Sequence, residues 1–522
     1  MNTDTGLKTP NNPDSQGGLI KTFLASFTGH PFISSALLCL ISYVMFLTVT
    51  QGNIEWRRYI FLFAVLGIIF AAALTALCFY LAKTKAFTDK NIILLLFLLG
   101  FALRLVVNAA GRQHDIGSFQ SGNGHLGYIG HLLENGSLPQ GDVREIDQFY
   151  HPPLHHILAA LWMKLQMILG ASLETAAKGI RFLTLFYSTA CMVLAYKIFK
   201  VLKISGKAMI AAFAIIAFHP TFFILAASMN NDVLSVTFTF GAILAALNWM
   251  ENRSYRNILL LALCIGLGMM TKLSVWMVAP AVAAMFLIMF IRERQERGSL
   301  FRQFCAFGAV CVPLGIWWEV RNYITHGVPP SYVPLIGSDS AQYVGYHSVW
   351  NRLFNFDAFQ FESVYHQFEF YGGKYYEFNP TIGLLKTAMF DEGNYQSLDF
   401  VAKPLFWIGT LLAVCALAVM IYMLIKKTGV INSLQKKFFV IIYGIYFILY
   451  YVFCFTHPHT CTENIRYAVP LILMGAIFTG LFLKQAKGAR STPLKTASRV
   501  MYVLTTVFAV LSSAMYIFII ML

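Results

Sequence analysis

Apolar runs long enough to cross a bilayer recur along most of the 522-residue chain, and they leave few architectures open. A helix needs about 20 apolar residues to span the hydrocarbon layer. Runs of that order lie near 31–50, 59–82, 91–110, 181–202, 207–228, 232–250, 257–271, 273–291, 303–319, 403–425, 437–455, 467–483 and 500–521. They predict thirteen transmembrane helices. Backbone amides in lipid must be satisfied inside a helix or a closed barrel. The short alternating segments of a barrel do not occur here. Mean hydropathy is +0.63 and charged residues make up 12%, about half the share usual in soluble domains. The expected class is an all-α polytopic membrane protein.

The formal charge of +15 is then first a signal of topology. With the N-terminus inside, the inner segments carry 24 of the 39 Lys and Arg. The short outer loops 271–273 and 456–466 carry one each. This is the asymmetry of the positive-inside rule. It requires that 154–172 not span: its leucines and isoleucines share one face, and it reads as a helix lying in the interface. Nucleic-acid binding is the weaker reading, because the cations are spread over many short loops.

Two large segments, 111–180 and 320–402, then share the outer face. The expected organisation is a disordered cytoplasmic tail (1–30), two additional N-terminal spans (31–90), a catalytic core (91–483), and a cytoplasmic loop with a last span (484–522). Eight of the nine Cys lie in apolar runs, and no zinc spacing or disulfide framework is read.

Ionisable residues concentrate in 112–158, which holds Asp115, Glu134, Asp142, Glu145 and Asp147 with six of the 13 histidines. Such groups near a bilayer are costly and tend to mark sites. Asp115 follows a span by five residues, where a carboxylate would meet both a lipid-borne and an aqueous reactant. It would serve there as a general base. On position alone, helix capping with His114 is the commoner use of such an aspartate. The stretch 117–134 is predicted to be a surface-lying amphipathic helix stopped at Asn135-Gly136. His151, beside Asp147, suits a metal or a phosphate; a hydrogen-bonded interfacial histidine is the plainer reading. Asn230, Asn231 and Asp232 open a span on the same face. Lys272, Arg321 and Arg466 stand at outer span ends, placed either to clamp a phosphate or simply to snorkel.

The order of these pieces resembles the GT-C superfamily of membrane glycosyltransferases. The nearest branch holds the protein O-mannosyltransferases and the lipid A aminoarabinose transferase. The matching segments are Asp115, then HLGYIGHLLENG, YHPPLHHILAAL, KGIRFLTLFYSTACMVLAYKIFK, FHPTFFILAASMNNDVL, GMMTKLSVWMVAP, WWEVRNYITHG and ENIRYAVPLIL. They run over about 91–480. Two features depart from the pattern. Three spans precede the catalytic loop where relatives have one. The acidic residue before the PPL helix is displaced, leaving Asp147 and Glu145 as competitors.

The resemblance implies sugar transfer from a polyprenyl-phosphate carrier to an acceptor on the outer face, with inversion. Asp115 would be the base. Asp147, Glu145 or Asp232 would orient the acceptor or a divalent metal, which the loop permits without requiring. Lys272, Arg321 or Arg466 would hold the departing phosphate. His114, His151, Asn231 and Tyr467 complete the expected substrate-binding set. The acceptor is a glycan, lipid or protein, and the membrane is expected to be a bacterial plasma membrane. The alternatives are a transporter or flippase of lipid-linked sugars, an inactive assembly subunit, and a lipid-to-polymer oligosaccharide ligase.

Overall fold

A computed structural model describes residues 28–50, 75–85, 87–110, 117–364, 370–371, 374–375, 377–426 and 429–519. The helices, in order, are α1 (Pro31–Thr50), α2 (Asp89–Ala110), α3 (Gly124–Asn135), α4 (Leu154–Ile168), α5 (Leu173–Val201), α6 (Lys207–Phe218), α7 (Pro220–Ala227), α8 (Asp232–Glu251) and α9 (Tyr255–Met269). There follow α10 (Ala279–Arg292), α11 (Arg297–His326), α12 (Val349–Phe354), α13 (Pro380–Phe390), α14 (Asp399–Ile425), α15 (Ser433–Thr456), α16 (Pro470–Ala486) and α17 (Thr492–Phe518). A hairpin of two-residue strands, β1 (Phe370–Tyr371) and β2 (Lys374–Tyr375), is the one sheet among the described residues. The expected all-α polytopic architecture is borne out.

Nine helical segments among the described residues are long and apolar enough to cross a membrane, or ten if the bent pair α6–α7 is one span. The shorter α9 and α16 are apolar too. Most of the expected span 59–82 and the tail 1–27 lie outside the described residues. α4 is not among the spans. It buries His155, His156 and Gln166 and leaves Leu161, Leu165 and Ile168 exposed, as a helix lying in the interface should.

The bend between α6 and α7 is 41°. Pro220 has no amide hydrogen and cannot continue the α6 ladder. In lipid the carbonyls so freed need other donors. The fully buried Arg104 of α2 supplies them, donating to the carbonyls of Ala217 (2.8 Å) and Ile216 (3.1 Å). Ser512 of α17 donates to the Phe218 carbonyl at 2.6 Å. The close approach of α2 demands Gly100, where a Cβ would stand 2.8 Å from the Ala217 oxygen. At the far end of α7, Asn108 donates to the Ala226 (3.0 Å) and Arg181 (2.8 Å) carbonyls. The segment leading into Asp232 is therefore held by buried polar contacts at both ends of α7.

Local geometry departs from expectation in three places. The helix predicted over 117–134 begins only at Gly124, because Gly117, Gly122 and Gly124 take positive φ and Ser118 pairs with Asn123 in a tight turn. Its stop at Gly136 is as expected, with φ 62° and a bond to the Leu132 carbonyl. It does not simply lie on the surface, since Gly124 to Gly130 are buried. α5 begins eight residues before the predicted span, where Ser172 accepts a hydrogen bond from the Thr175 amide.

The third departure is α13, inside the large segment 320–402, for which no helix was predicted. Asn379 accepts from the amides of Thr381 and Ile382, and Pro380 occupies the first turn; both are helix-start signals. α13 is built into the core. Thr221 donates to the Ala388 carbonyl (3.0 Å), Tyr450 to Pro380 (2.7 Å) and Tyr516 to Met389 (2.5 Å).

Candidate functional site

The site is assembled from four chain breaks at one end of the bundle. The first is the turn between α7 and α8. The Asn230 side chain accepts from the Asp232 amide (3.1 Å), which turns the chain into α8. Asn231 donates to the Thr271 carbonyl at 3.0 Å and ties this turn to the end of α9. Just beyond Thr271, Lys272 forms an ion pair with Asp232. The side chains are 13% and 3% exposed, so water screens the pair little.

The second break is 457–469, before α16. Asn464 is fully buried and accepts from the Arg466 amide at 2.9 Å. Its amide group donates to Asp391 (2.9 Å) and Glu392 (3.3 Å) at the third break, the end of α13. Thr387 of α13 accepts from the Ile465 amide at 2.9 Å. Tyr467 then lies between two cations: its ring centre is 5.1 Å from Lys272 Nζ and 5.2 Å from the Arg466 guanidinium. Both are within cation–π range.

Between these breaks is a narrow recess. Ser228, Asn230, Asp232, Asp391, Asn464 and Arg466 contribute its polar wall. Ile224, Leu225 and Ile465 contribute an apolar side.

The fourth break, between α3 and α4, contributes a stack of rings. His125 and His156 share a 2.9 Å contact between Nδ1 and Nε2, so one ring donates and the other accepts. His151 stacks on His125 with centroids 5.7 Å apart, and Tyr128 stacks on His156 at 4.3 Å. The Leu154 amide donates to the Met270 carbonyl at 3.0 Å and docks this segment beside Lys272. Burial pushes His151 well below the ordinary histidine range, and the neighbouring Lys272 charge pushes the same way. Burial likewise holds His155 down at about 4, although its ring donates to the Met229 carbonyl at 2.9 Å.

Of the residues expected from sequence, Asn231, Asp232, Lys272, Arg466, Tyr467 and His151 are brought together. Arg321 belongs to a different contact set: it donates to Asn322 Oδ1 (2.8 Å) and to the Pro139 carbonyl, and covers the Trp318 ring. Asp147 and Glu145 are exposed. Asp147 accepts from the Gln148 side chain at 3.2 Å. His114 and Asp115 lie outside the described residues. Among the described residues, no group of three or more His, Cys, Asp or Glu is arranged to hold a metal ion; His151 and Asp147 form no part of such a group. Sequence reasoning did not single out Asp391, Asn464, Thr387 or Ser228. The Asn-Pro-Thr start of α13 was the signal that would have led to the first and third.

Residues 150–317 match the family model described as dolichyl-phosphate-mannose-protein mannosyltransferase. The matched stretch contains Asp232 and Lys272 and ends before Arg466. The match bears out the resemblance to GT-C membrane glycosyltransferases. Among solved structures, the Archaeoglobus fulgidus oligosaccharyltransferase in the apo form is similar at 13% identity and a TM-score of 0.46. The likeness covers 83% of this chain and 56% of that one, so the chain spans little more than half of its length. The archaeal oligosaccharyltransferase AglB from the same organism, in complex with an inhibitory peptide and a dolichol-phosphate, gives 12%, 0.46, 83% and 56%. ArnT from Cupriavidus metallidurans in the apo state gives 14% identity, a TM-score of 0.35 and coverages of 75% and 78%. No curated protein matches the chain.

Proposed function

We propose that this integral membrane protein transfers a sugar from a polyprenyl-phosphate carrier to an acceptor hydroxyl at the outer face of a bacterial plasma membrane. The observation that carries the reading is the convergence of Lys272 and Arg466 on Tyr467, beside the buried Asp232 and a recess lined by Asp391 and Asn464. A soluble sugar would need no apolar approach; a lipid phosphate needs cations at a bundle end next to lipid. The match to a family named for dolichyl-phosphate-mannose supports the same donor class.

In this mechanism Lys272 and Arg466 bind the carrier phosphate. Asp115, by the resemblance, takes the proton of the acceptor hydroxyl. The acceptor oxygen bonds to the anomeric carbon from the face opposite the phosphate. The carbon–oxygen bond to the phosphate breaks, and its electron pair leaves with the lipid phosphate. Configuration inverts in one displacement. Preorganised cations are worth most where the leaving charge develops. Asp232 keeps the Lys272 ammonium fixed and does not touch the reacting atoms. Arg321 is given no part in phosphate binding in this scheme, since its guanidinium is engaged with the 139 segment. Asp147 and Glu145 line the approach of the acceptor.

The test is release of polyprenyl phosphate by the purified full chain supplied with lipid-linked sugars and an acceptor extract. Wild type should turn over, and Arg466→Ala should retain its fold and lose turnover. Binding of the lipid with no release from any donor would favour a transporter.

A further inference from the structure

α1 lies outside the family-matched stretch 150–317, yet it carries a polar group into the bundle. Tyr43, within α1, is buried. A tyrosine hydroxyl buried in a span needs a partner. It donates to the Gln166 side-chain oxygen at 2.8 Å. Gln166 belongs to α4, the helix that lies in the interface, and is buried as well. Its amide group donates to the Ala176 carbonyl of α5 at 3.2 Å. Among the described residues, Tyr43 is the one donor to its oxygen. The neighbouring residues make room for this contact. A Cβ at Gly179 of α5 would collide with the Gln166 side chain. Trp162 of α4 donates to the Gly179 carbonyl at 2.9 Å. The Tyr43 ring packs against both Trp162 (5.0 Å between centres) and Phe182 of α5 (5.4 Å).

The other end of α4 holds the site. The Leu154 amide donates to the carbonyl of Met270, two residues before Lys272. The His155 ring donates to the carbonyl of Met229, three residues before Asp232. A helix running from Leu154 to Gln166 covers about 18 Å. α4 is therefore a strap. One end is tied to the turns that carry the Asp232–Lys272 pair, and the other is tied to α1. Its exposed Leu161, Leu165 and Ile168 hold it in the interface without fixing its rotation, since apolar burial is non-directional. The hydrogen bond at the far end supplies the direction. Without the Tyr43 hydroxyl, an acceptor is stranded in a dry site, which costs more than the bond itself is worth, and α4 turns to relieve it.

We infer that Tyr43 is a positioning residue: through Gln166 it fixes the rotation of α4, and with it the place of the Lys272 ammonium. The inference rests on the phosphate-clamp reading above. It gives α1 a part in binding the lipid phosphate without touching it.

The test compares the purified full chain in nanodiscs with its Tyr43→Phe and Phe46→Leu variants, by dolichyl phosphate binding, hydrogen exchange and thermal melting. Tyr43→Phe removes one oxygen and keeps the ring. It should bind dolichyl phosphate at least about fivefold more weakly, the scale set by a stranded buried acceptor. The Leu154 and Asp232 amides bond to the Met270 carbonyl and the Asn230 side chain. They should exchange faster by a similar factor, because local opening governs that rate. Phe46→Leu is the control for packing alone, since the Phe46 ring lies 5.2 Å from that of Phe182 and has no polar group. It should melt at a lower temperature, with affinity and both amides unchanged. Should Tyr43→Phe not fold, Gln166→Leu removes the same bond from the α4 side and should give the same two changes. Affinity that follows melting temperature in both variants overturns the positioning role, as does wild-type affinity and exchange in Tyr43→Phe. Wild type that binds no dolichyl phosphate overturns the clamp instead, and the exchange rates still report on the strap, so the two failures are distinct.

Discussion

Asp232 and Lys272 stand 40 residues apart in sequence and meet as an ion pair at the start of α8 and the end of α9. The pair fixes the ammonium beside Tyr467, and it also makes each partner costly to remove. Lys272→Ala leaves a carboxylate buried and uncompensated, with an expected loss of about 3–5 kcal/mol. Lys272→Ala together with Asp232→Ala should recover most of that stability and still bind no lipid phosphate. Unfolding in detergent alongside lipid-phosphate binding separates the two effects.

Asp115→Asn should lower turnover at least about 100-fold, the scale of general-base catalysis, while dolichyl-phosphate binding is unchanged. Equal turnover would move the base to another carboxylate, with Asp147 tested next.

The 320–402 segment is anchored by two further pairs. Arg352 meets Glu463 at 2.8 Å and Lys386 meets Glu377 at 2.9 Å, all four side chains at most 3% exposed. Glu463 lies three residues before Arg466, so this cluster braces the loop that carries the clamp. Arg352→Met should cost about 3–5 kcal/mol. Arg352→Met with Glu463→Met should cost less than that single change. A double-mutant cycle read by chemical denaturation checks it.

Burial holds the pKa of His151, His155 and His156 below the ordinary histidine range. The unfolded chain therefore binds more protons than the folded one below about pH 6.5. Their contribution to stability is present above that value and declines as pH falls, down to about 4 for His155. Replacing His156 by Gln should flatten the acid limb of a melting-temperature profile between pH 6.5 and 4. An unchanged limb would mean that other groups set it.

The apolar runs made the spans legible, and loop cations chose a topology in which Asp232, Lys272 and Arg466 share one face. Period and charge are local signals; they marked the spans but not the helix starts at Gly124, Leu173 and Pro380. The recess was not legible, because it depends on α13 returning into the bundle. Nothing in TIGLLKTAMF distinguishes a short buried helix from a stretch of loop except the Asn379-Pro380 start. Arg321 is a case that position alone leaves open. It sits at a span end just as Lys272 does, and only its partner at Pro139 separates them. The ring stack of His125, His151 and His156 joins two helices through contacts that spacing alone does not encode.

Arg104 carries a consequence for how the chain is made. Its acceptors at Ile216 and Ala217 emerge from the ribosome more than 100 residues after it does. Until then α2 must enter the bilayer with a cation that costs about 2.5–3.5 kcal/mol at mid-span, set against an otherwise strongly apolar sequence. α2 can insert early, but it acquires its final neighbours only when the broken α6–α7 pair arrives. The order of synthesis thus leaves the cradle of Asp232 open until the membrane has received nearly half of the protein.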